Sequence, residues 1–269
     1  MVSFPQCKIN LGLRVVSKRQ DGFHDIETCF YPLPWSDILE IIPNDTMSFT
    51  NTGILVPGRH EENLCLRAYY LLQEQFDLPS VAIHLHKIVP TGAGLGGGSS
   101  DAAYTLRILN ELFNLKQSLN QLEVYASQLG SDCAFFIHDR PMIGTGRGEV
   151  LSSIDVSLHG KYIVVVKPDI HVSTSEAFKN IKLSQHNNSL EDSLKQKDVV
   201  DWEEVLINDF ELSAFRQFPD IKKIKKDLYA KGALYASMSG SGSSVFGIFE
   251  SAIDLREYFK GKIYWSGAL

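Results

Sequence analysis

The segment PTGAGLGGGSSDAA, residues 90–103, is the most informative part of the chain. Five of the seven residues at positions 92–98 are glycine, and apolar residues at helical spacing follow from Ala102 to Phe113. Glycine lets the backbone approach an anion closely, and the first turn of a helix presents unpaired N–H groups with a partial positive charge. A glycine-rich turn that runs directly into a helix is therefore typical of a site for nucleotide phosphates. Asp101, in the first turn of this helix, is expected to favour the helix dipole.

Two common nucleotide-binding motifs do not fit this segment. Residues 92–97 match GxGxxG, but a dinucleotide fold needs an acidic residue about 20 positions later, at the end of a second strand. Residues 112–122 read LFNLKQSLNQL and instead indicate a helix end, a turn and a new helix. A Walker A loop ends in Gly-Lys-Ser/Thr, whereas Gly98 is followed by two serines. The segment therefore predicts a different type of phosphate loop.

Composition narrows the class of protein. The 269 residues are 44% hydrophobic, as in globular proteins, and predict about two domains. The net charge of −6 argues against a non-specific nucleic-acid binder, so no nucleic-acid partner is expected. The four cysteines form no CxxC pair and indicate buried thiols in a reducing compartment. No signal peptide is evident, and the longest apolar run, residues 162–166, is too short to span a bilayer. We expect a cytoplasmic protein with no membrane partner.

Hydrophobic periodicity predicts strands and helices in groups, which favours an α+β fold. Strands are expected as a hairpin over residues 8–31 and at 37–42, 81–86 and 162–166, and helices at 62–76, 119–129 and 212–229. The polar residues 184–201 are expected to form an exposed excursion.

Three motifs, in order along the chain, resemble those of the GHMP kinases. They are CKINLGL (7–13), the glycine-rich segment, and SMSGSGSSVFGIF (237–249). The resemblance implies a two-domain α+β GHMP kinase fold. A ribosomal-S5-like N-terminal domain, residues 1–156, would bind ATP, and a ferredoxin-like C-terminal domain, residues 157–269, would bind the substrate. It also implies transfer of the γ-phosphate of ATP to a hydroxyl group of a small molecule, with Mg²⁺ to neutralise phosphate charge. A monomer or weak dimer is expected.

Four further segments resemble the GHMP kinases whose small-molecule substrate carries a cytidine diphosphate. They are RQDGFHDIET (19–28), LGSDCAFF (129–136), PDIHVSTSEAF (168–178) and NDFE (208–211). The DGFH sequence is the most specific of these, because it belongs to the cytidine-binding part of such enzymes.

The resemblance also implies the catalytic residues. Asp132 follows Gly130 and precedes an apolar run, so its carboxylate is expected to be partly desolvated. An aspartate after glycine is ordinarily a turn residue, but the resemblance makes Asp132 the base that takes the proton from the acceptor hydroxyl. It places Lys8 beside Asp132, where the ammonium would orient the base and stabilise a developing alkoxide.

Binding residues follow from the same resemblance. ATP contacts are expected at Pro90, Gly92, Gly94, Leu95, Gly96, Gly97, Gly98, Ser99 and Ser100, with Asn63 and Lys87 near the adenine. Substrate contacts are expected at Asn10, Phe23, His24, Thr174, Phe178, Gly240, Ser241 and Gly242. Phe23 and Phe178 would stack on cytosine, and His24 would bond its edge. Many relatives have tyrosine at the position of Phe23.

Two alternatives remain open from the sequence. A different GHMP kinase, such as a homoserine kinase, would have no use for an aromatic clamp on cytosine. A non-catalytic nucleotide-binding protein would bind ATP without turnover, although the presence of Lys8 and Asp132 argues against it. His84 and His86 lie on one side of a predicted strand, but no third ligand is evident, so no metal site is expected among the side chains.

Overall fold

The structure is a computed structural model that describes residues 1–179, 181, 183 and 188–269. It mixes helices and strands, which confirms the predicted α+β class. Contacts divide the chain into two compact units, each built from separate segments. Unit 1 comprises Met1–Lys8, Trp35–Thr91 and Gly96–Arg140, and unit 2 comprises Ile9–Pro34, Gly92–Leu95 and Pro141–Leu269. The domain boundary at residues 156/157 stays a prediction.

The secondary structure follows the chain in this order. The strands are β1 (Val2–Ser3), β2 (Gln6–Lys18), β3 (His24–Ser36), β4 (Ile38–Pro43), β5 (Ser48–Gly53), β6 (Val81–Lys87), β7 (Met142–Thr145), β8 (Val150–Ser153), β9 (Tyr162–Lys167), β10 (Tyr235–Met238), β11 (Val245–Phe249) and β12 (Ile263–Ala268). The helices are α1 (Leu64–Phe76), α2 (Gly97–Leu112), α3 (Leu119–Leu129), α4 (Phe135–His138), α5 (Thr174–Lys179), α6 (Leu190–Gln196), α7 (Trp202–Val205), α8 (Glu211–Gln217) and α9 (Pro219–Ala230).

Unit 1 contains a four-stranded sheet in the order β1-β4-β6-β5. β6 is antiparallel to β4 and parallel to β5. Val81, Ile83 and Leu85 of β6 are buried, because alternate residues of a strand face the same side. Lys87 falls at the next position of this buried set, so the register of the strand brings an ammonium into the core. Helix α2 packs against α1 and β4.

Unit 2 contains the sheet β10-β11-β9-β12, in which all neighbours are antiparallel. The run Ile163–Val166 of β9 is buried throughout, as a strand between two others requires. Another sheet, in the order β2-β3-β7-β8, includes the hairpin that the sequence predicts over residues 8–31. None of the helices in the described residues combines the length and apolar character needed to cross a membrane.

Two sequence predictions are wrong in part. The single helix expected at 212–229 is two helices, α8 and α9, because Pro219 has no N–H to donate and begins a new helix at its first position. The excursion expected at 184–201 includes α6, which buries Leu190 and Leu194. Residues 184–187 lie outside the described residues.

The NDFE segment holds distant parts of unit 2 together. The Asn208 amide donates to the carbonyls of Met238 (2.7 Å) and Gly240 (2.8 Å). Asp209 accepts a hydrogen bond from the Val15 N–H at 2.7 Å, and Glu211 accepts one from the Met238 N–H at 2.9 Å. Buried backbone groups need such partners, so these side chains fix the loop that begins at Ser239.

We expect Asn208→Asp to destabilise the fold by about 2–5 kcal/mol, because it replaces a buried N–H donor with an oxygen that faces two carbonyl oxygens. Urea denaturation measures the change. Asn44→Asp, at an exposed position, is the control and should change stability by less than about 0.5 kcal/mol. Equal stability of the two variants would contradict this role for Asn208.

Candidate active site

The predicted catalytic pair lies within unit 1. Lys8 Nζ is 3.4 Å from Asp132 Oδ2, and the exposed fractions of the two side chains are 4% and 33%. Asp132 lies in the turn between α3 and α4, where the Cys133 N–H donates to the Gly130 carbonyl at 3.1 Å. Solvent or a ligand can therefore reach the Asp132 carboxylate, whereas the Lys8 ammonium beside it is enclosed.

Gly96 brings the glycine-rich segment to this pair. A Cβ at Gly96 would lie 3.1 Å from Lys8 Cε and 2.9 Å from Phe136 Cζ, so a side chain has no room there. Its φ of +70° is also the left-handed conformation that favours glycine. The N-terminus of α2, which begins at Gly97, therefore lies beside Lys8, and the first N–H groups of a helix have no partner within the helix and are suited to an anion.

The two serines of the segment differ in exposure. Ser99 is partly exposed, whereas Ser100 is buried, and its Oγ has no hydrogen-bond partner among the described residues. The exposed hydroxyl is thus the one that a phosphate could reach without rearrangement of α2. The ATP contact of Ser100 stays a prediction, as do those of Pro90 and Leu95.

A buried cluster of three charges lies beneath the same helix. Lys87 donates to the carboxylates of Asp37 and Asp101, the latter at 2.8 Å, and all three side chains are at most 3% exposed. Asp37 Oδ1 also accepts the N–H groups of Ile88 (2.5 Å) and Val89 (2.8 Å). The cluster thereby joins the chain that enters the glycine-rich segment to the helix that leaves it.

The pKa values of Asp101 and Lys87 are shifted by burial and by the presence of two carboxylates around one ammonium. Burial raises the pKa of Asp101 to about 7, partly offset by the charge of Lys87. Burial opposes the charge of Lys87, but Asp101 and Asp37 raise its pKa above the usual value. The expectation that Asp101 lies in the first turn and favours the helix dipole is wrong, because the residue lies in the second turn of α2 and its carboxylate faces the Lys87 ammonium inside the core.

Lys87 Nζ lies directly under the first turn of α2, since a Cβ at Gly97 would be 2.9 Å from it. Both carboxylates enclose this ammonium, so its side chain offers no exposed atom for an adenine contact. Asn63 caps α1 by accepting the Cys65 N–H at 2.9 Å. The adenine contacts of Lys87 and Asn63 stay predictions.

In unit 2, the beginning of the glycine-rich segment meets the second Gly/Ser loop. Ser239 Oγ donates to the Gly94 carbonyl at 2.8 Å, and the Ser244 N–H donates to the Ala93 carbonyl at 3.2 Å. Asn10 donates to Thr28 Oγ1 at 2.9 Å and accepts from Ser239 Oγ at 3.5 Å. The structure therefore brings together three predicted regions: Asn10, Gly94 and the loop 239–244.

The predicted cytidine residues also lie in unit 2. The rings of His24 and Phe178 stack with centroids 5.0 Å apart and planes at 19°. Thr174 Oγ1 and Ser241 Oγ are 3.0 Å apart. Gly242 lies in the same loop as Ser241, and its φ of +94° favours glycine. Four of the predicted residues thus form two contacting pairs on α5 and its neighbours.

Phe23 lies at the turn of the β2–β3 hairpin, where Gly22 has a φ of +85°. Phe23 is 53% exposed, and the guanidinium of Arg147 lies over its ring at 4.9 Å from the centroid. Neither Arg147 nor Asp37 is predicted as a site residue from the sequence. The alternation of buried residues along β6 places Lys87 in the core and could have indicated a buried acidic partner. Nothing in the sequence identifies that partner as Asp37.

Comparisons with known proteins agree with the motifs. The family description "GHMP kinases N terminal domain" matches residues 63–140, and "GHMP kinases C terminal" matches residues 190–262. These two matches cover more than half of the chain, and the chain belongs to the GHMP kinase family.

Individual relatives define the similarity further. A 4-diphosphocytidyl-2-C-methyl-D-erythritol kinase of Cytophaga hutchinsonii is 51% identical over 252 residues, which are 93% of each chain. A protein of the same name from Parabacteroides distasonis is 46% identical over 100% of both chains. A crystal structure of 4-(cytidine 5'-diphospho)-2C-methyl-D-erythritol kinase superimposes with a TM-score of 0.83 at 31% identity, covering 99% of this chain and 98% of the other. A homoserine kinase of C. hutchinsonii, at 17% identity and a TM-score of 0.72, shares the fold.

We expect Asp101→Asn to remove part of the pH dependence of stability. With a pKa raised above its unfolded value, Asp101 binds more protons in the folded chain between about pH 4 and pH 7. The free energy of unfolding of the native sequence should therefore fall as pH rises through that window, and more steeply than that of the variant. Urea denaturation from pH 5 to pH 8 measures both slopes. Asp45→Asn, at an exposed position, should keep the native slope, and an equally steep slope in Asp101→Asn would refute the buried titration.

We expect Gly94→Ala to lower the free energy of unfolding more than the same substitution at a left-handed glycine with open space around it. A Cβ at Gly94 would lie 2.0 Å from the Ser239 carbonyl oxygen, and φ is +79°. Gly261→Ala is a matched control, because its φ is +82° with no atom within 4 Å. The control should lose about 1–2 kcal/mol of stability, and Gly94→Ala a further 1–3 kcal/mol or so, with a raised KM for ATP. Equal losses of unfolding free energy in the two variants would show that the close approach of Gly94 to Ser239 does not contribute to stability.

Proposed function

We propose that this protein transfers the γ-phosphate of ATP to the 2-hydroxyl of 4-diphosphocytidyl-2-C-methyl-D-erythritol. The products are ADP and the corresponding 2-phosphate, an intermediate of the non-mevalonate route to isoprenoid precursors. Relatives named for this kinase activity, at 41–51% identity over most of their length, support the proposal. The chain is a kinase of the GHMP family, and ATP as the phosphoryl donor follows from that membership.

The observation that carries the chemistry is the pair of Lys8 and Asp132 beside Gly96. Asp132 accepts the proton of the acceptor hydroxyl as its oxygen attacks the γ-phosphorus, and the bond from phosphorus to the ADP oxygen breaks. Lys8 holds the carboxylate in place and stabilises the negative charge that develops on the hydroxyl oxygen. The remaining exposure of Asp132 leaves room for the hydroxyl group to approach.

The first turn of α2 is the proposed cradle for the phosphates of ATP. Gly96, Gly97 and Gly98 keep side chains away from the backbone N–H groups, and Ser99 adds the hydroxyl of a partly exposed residue. Because the first turn of a helix holds these donors, little reorganisation is needed to bind the phosphates.

The proposed cytidine site uses His24, Thr174 and Phe178, with the ring of Phe23. Stacking on an aromatic ring and hydrogen bonds to the base edge are the interactions by which proteins hold a pyrimidine. His24 and Phe178 are already in contact, and Thr174 contacts Ser241 of the Gly/Ser loop. A homoserine or mevalonate acceptor would have no group for these side chains.

Mg²⁺ is part of the proposal. The described residues include no group of three or more His, Cys, Asp or Glu side chains that could hold a metal ion. Mg²⁺ usually keeps several waters and binds through substrate phosphates with few protein ligands, so a partly exposed Ser99 hydroxyl beside the phosphates fits it. Bound there, the ion would neutralise phosphate charge. We also propose a cytoplasmic protein, a monomer or weak dimer, without a nucleic-acid partner.

ADP release from Mg·ATP, coupled to NADH oxidation, tests the function. We expect turnover with 4-diphosphocytidyl-2-C-methyl-D-erythritol and none with 2-C-methyl-D-erythritol, homoserine or mevalonate. Asp132→Asn should lower kcat by about 10²–10⁴-fold, because the variant has no carboxylate to take the proton. Asp45→Asn, at an exposed position, should retain the native rate.

The outcomes separate the alternatives. Turnover with homoserine or mevalonate would keep the kinase chemistry and refute the acceptor. ATP binding without turnover of any acceptor would indicate the non-catalytic nucleotide-binding protein. Native activity in Asp132→Asn would remove Asp132 from the mechanism and leave the acceptor assignment intact.

A further inference from the structure

A cation covers the exposed ring of the β2–β3 turn. The Arg147 guanidinium lies 4.9 Å from the centroid of the Phe23 ring, which is within the range of a cation–π contact. Phenylalanine has no hydrogen-bonding group, so only contacts with its faces and edges can orient it. With one face under Arg147 and 53% of the residue exposed, the ring keeps surface available for another planar group.

Arg147 is held by its own turn. Gly146 and Gly148, with φ of +66° and +107°, allow the tight connection between β7 and β8. Glu149 accepts the Arg147 N–H at 2.6 Å and pairs with its Nε at 3.6 Å. The Ile26 N–H donates to the Gly146 carbonyl at 2.7 Å, which fixes this turn to β3, the strand that follows Phe23.

Two carboxylates interact with the guanidinium, Glu149 as an ion pair and Asp21 through its charge. Glu149 pairs with it, and the Phe23 N–H, the Arg19 guanidinium and the charge of Arg147 hold the pKa of Asp21 below its usual value despite some desolvation. A ligand phosphate would have to compete with these two carboxylates for Arg147. The ring of Phe23 has no such competitor, so the local charges favour a stacking role over a phosphate contact.

We propose that Arg147 is a positioning residue for the cytosine of the acceptor, which it serves by fixing the ring of Phe23 with one face open for the base. The inference rests on the proposed function, because it needs a pyrimidine ligand at Phe23. An exposed side chain that is ordered only on binding lowers affinity, and a ring fixed beforehand avoids that cost.

Equilibrium binding of cytidine and of CDP, followed by ligand-observed NMR, tests the proposal. Arg147→Ala should weaken both ligands by the same factor, about two- to five-fold, which is the size of an exposed cation–π contact. In the coupled assay the KM for the cytidylated acceptor should rise by a similar factor, while kcat and the KM for ATP stay unchanged. Arg147→Gln, which is also uncharged, carries the same expectation should the alanine variant fail to fold.

Two comparisons make the test specific. Arg147→Ala in a Phe23→Leu background should cause no further loss, because the ring through which Arg147 acts is absent. Arg256→Ala removes another arginine that covers an aromatic ring, that of Tyr264 at 5.8 Å, and should leave both affinities unchanged.

Three results would overturn the proposal. They are unchanged affinities in Arg147→Ala, weakening of CDP alone, which would indicate a phosphate contact, and an undiminished loss in the Phe23→Leu background. The proposed function is decided separately, by whether the native protein phosphorylates the cytidylated acceptor. Cytidine binding by the native protein and its variants needs no turnover, so the role of Arg147 can be judged even if that reaction fails.

Discussion

The ammonium of Lys87 lies between the carboxylates of Asp37 and Asp101 in a part of unit 1 that water does not reach. A charge in such a place is tolerated only when partners compensate it, and the loss of one partner leaves the others uncompensated. The three positions are therefore mutually dependent. They fix the positions of the end of β6, the backbone just before β4 and the second turn of α2. The glycine-rich segment connects the end of β6 to α2, so both of its ends are held by the cluster. One protonated carboxyl would leave the cluster with one positive and one negative charge, which a buried site accommodates best.

The beginning of the glycine-rich segment is constrained by close contact instead of charge. Gly94 approaches the Ser239 carbonyl so closely that no side chain fits, and Ser239 bonds back to the Gly94 carbonyl. Asn208 in turn fixes the loop by bonding the carbonyls on both sides of Ser239. The part of the glycine-rich segment that belongs to unit 2, Gly92–Leu95, is thus fixed by close contact with the loop that begins at Ser239.

Patterns that are local in sequence predicted their structures well. The β2–β3 hairpin, the glycine turn before α2 and the turn that carries Asp132 depend on residues within a few positions of one another. The break at Pro219 is local as well and could have been predicted from the missing N–H of proline. Contacts between residues far apart in the sequence could not be predicted in this way. Asp37 is 50 residues from Lys87, and Arg147 is more than a hundred residues from Phe23, so no spacing rule connects them. The roles of the binding residues came from resemblance, because chemistry at a site depends on which distant side chains the fold brings together.

The division of unit 2 into early and late segments has a consequence for how the chain acquires its structure. Residues 9–34 belong to a unit whose other strands and helices lie after residue 141, and the bond from Val15 to Asp209 closes a loop of 194 residues. Contacts of such long sequence separation are costly in chain entropy before any compensating interaction forms. During synthesis, β2 leaves the ribosomal exit tunnel long before β9, β10 and β11 are made. The β2–β3 hairpin therefore lacks the later strands of unit 2 during that time. Its buried residues Leu13 and Val15 belong to the same core cluster as Val164 and Val245, so they lack these partners until residues 164 and 245 have been synthesised.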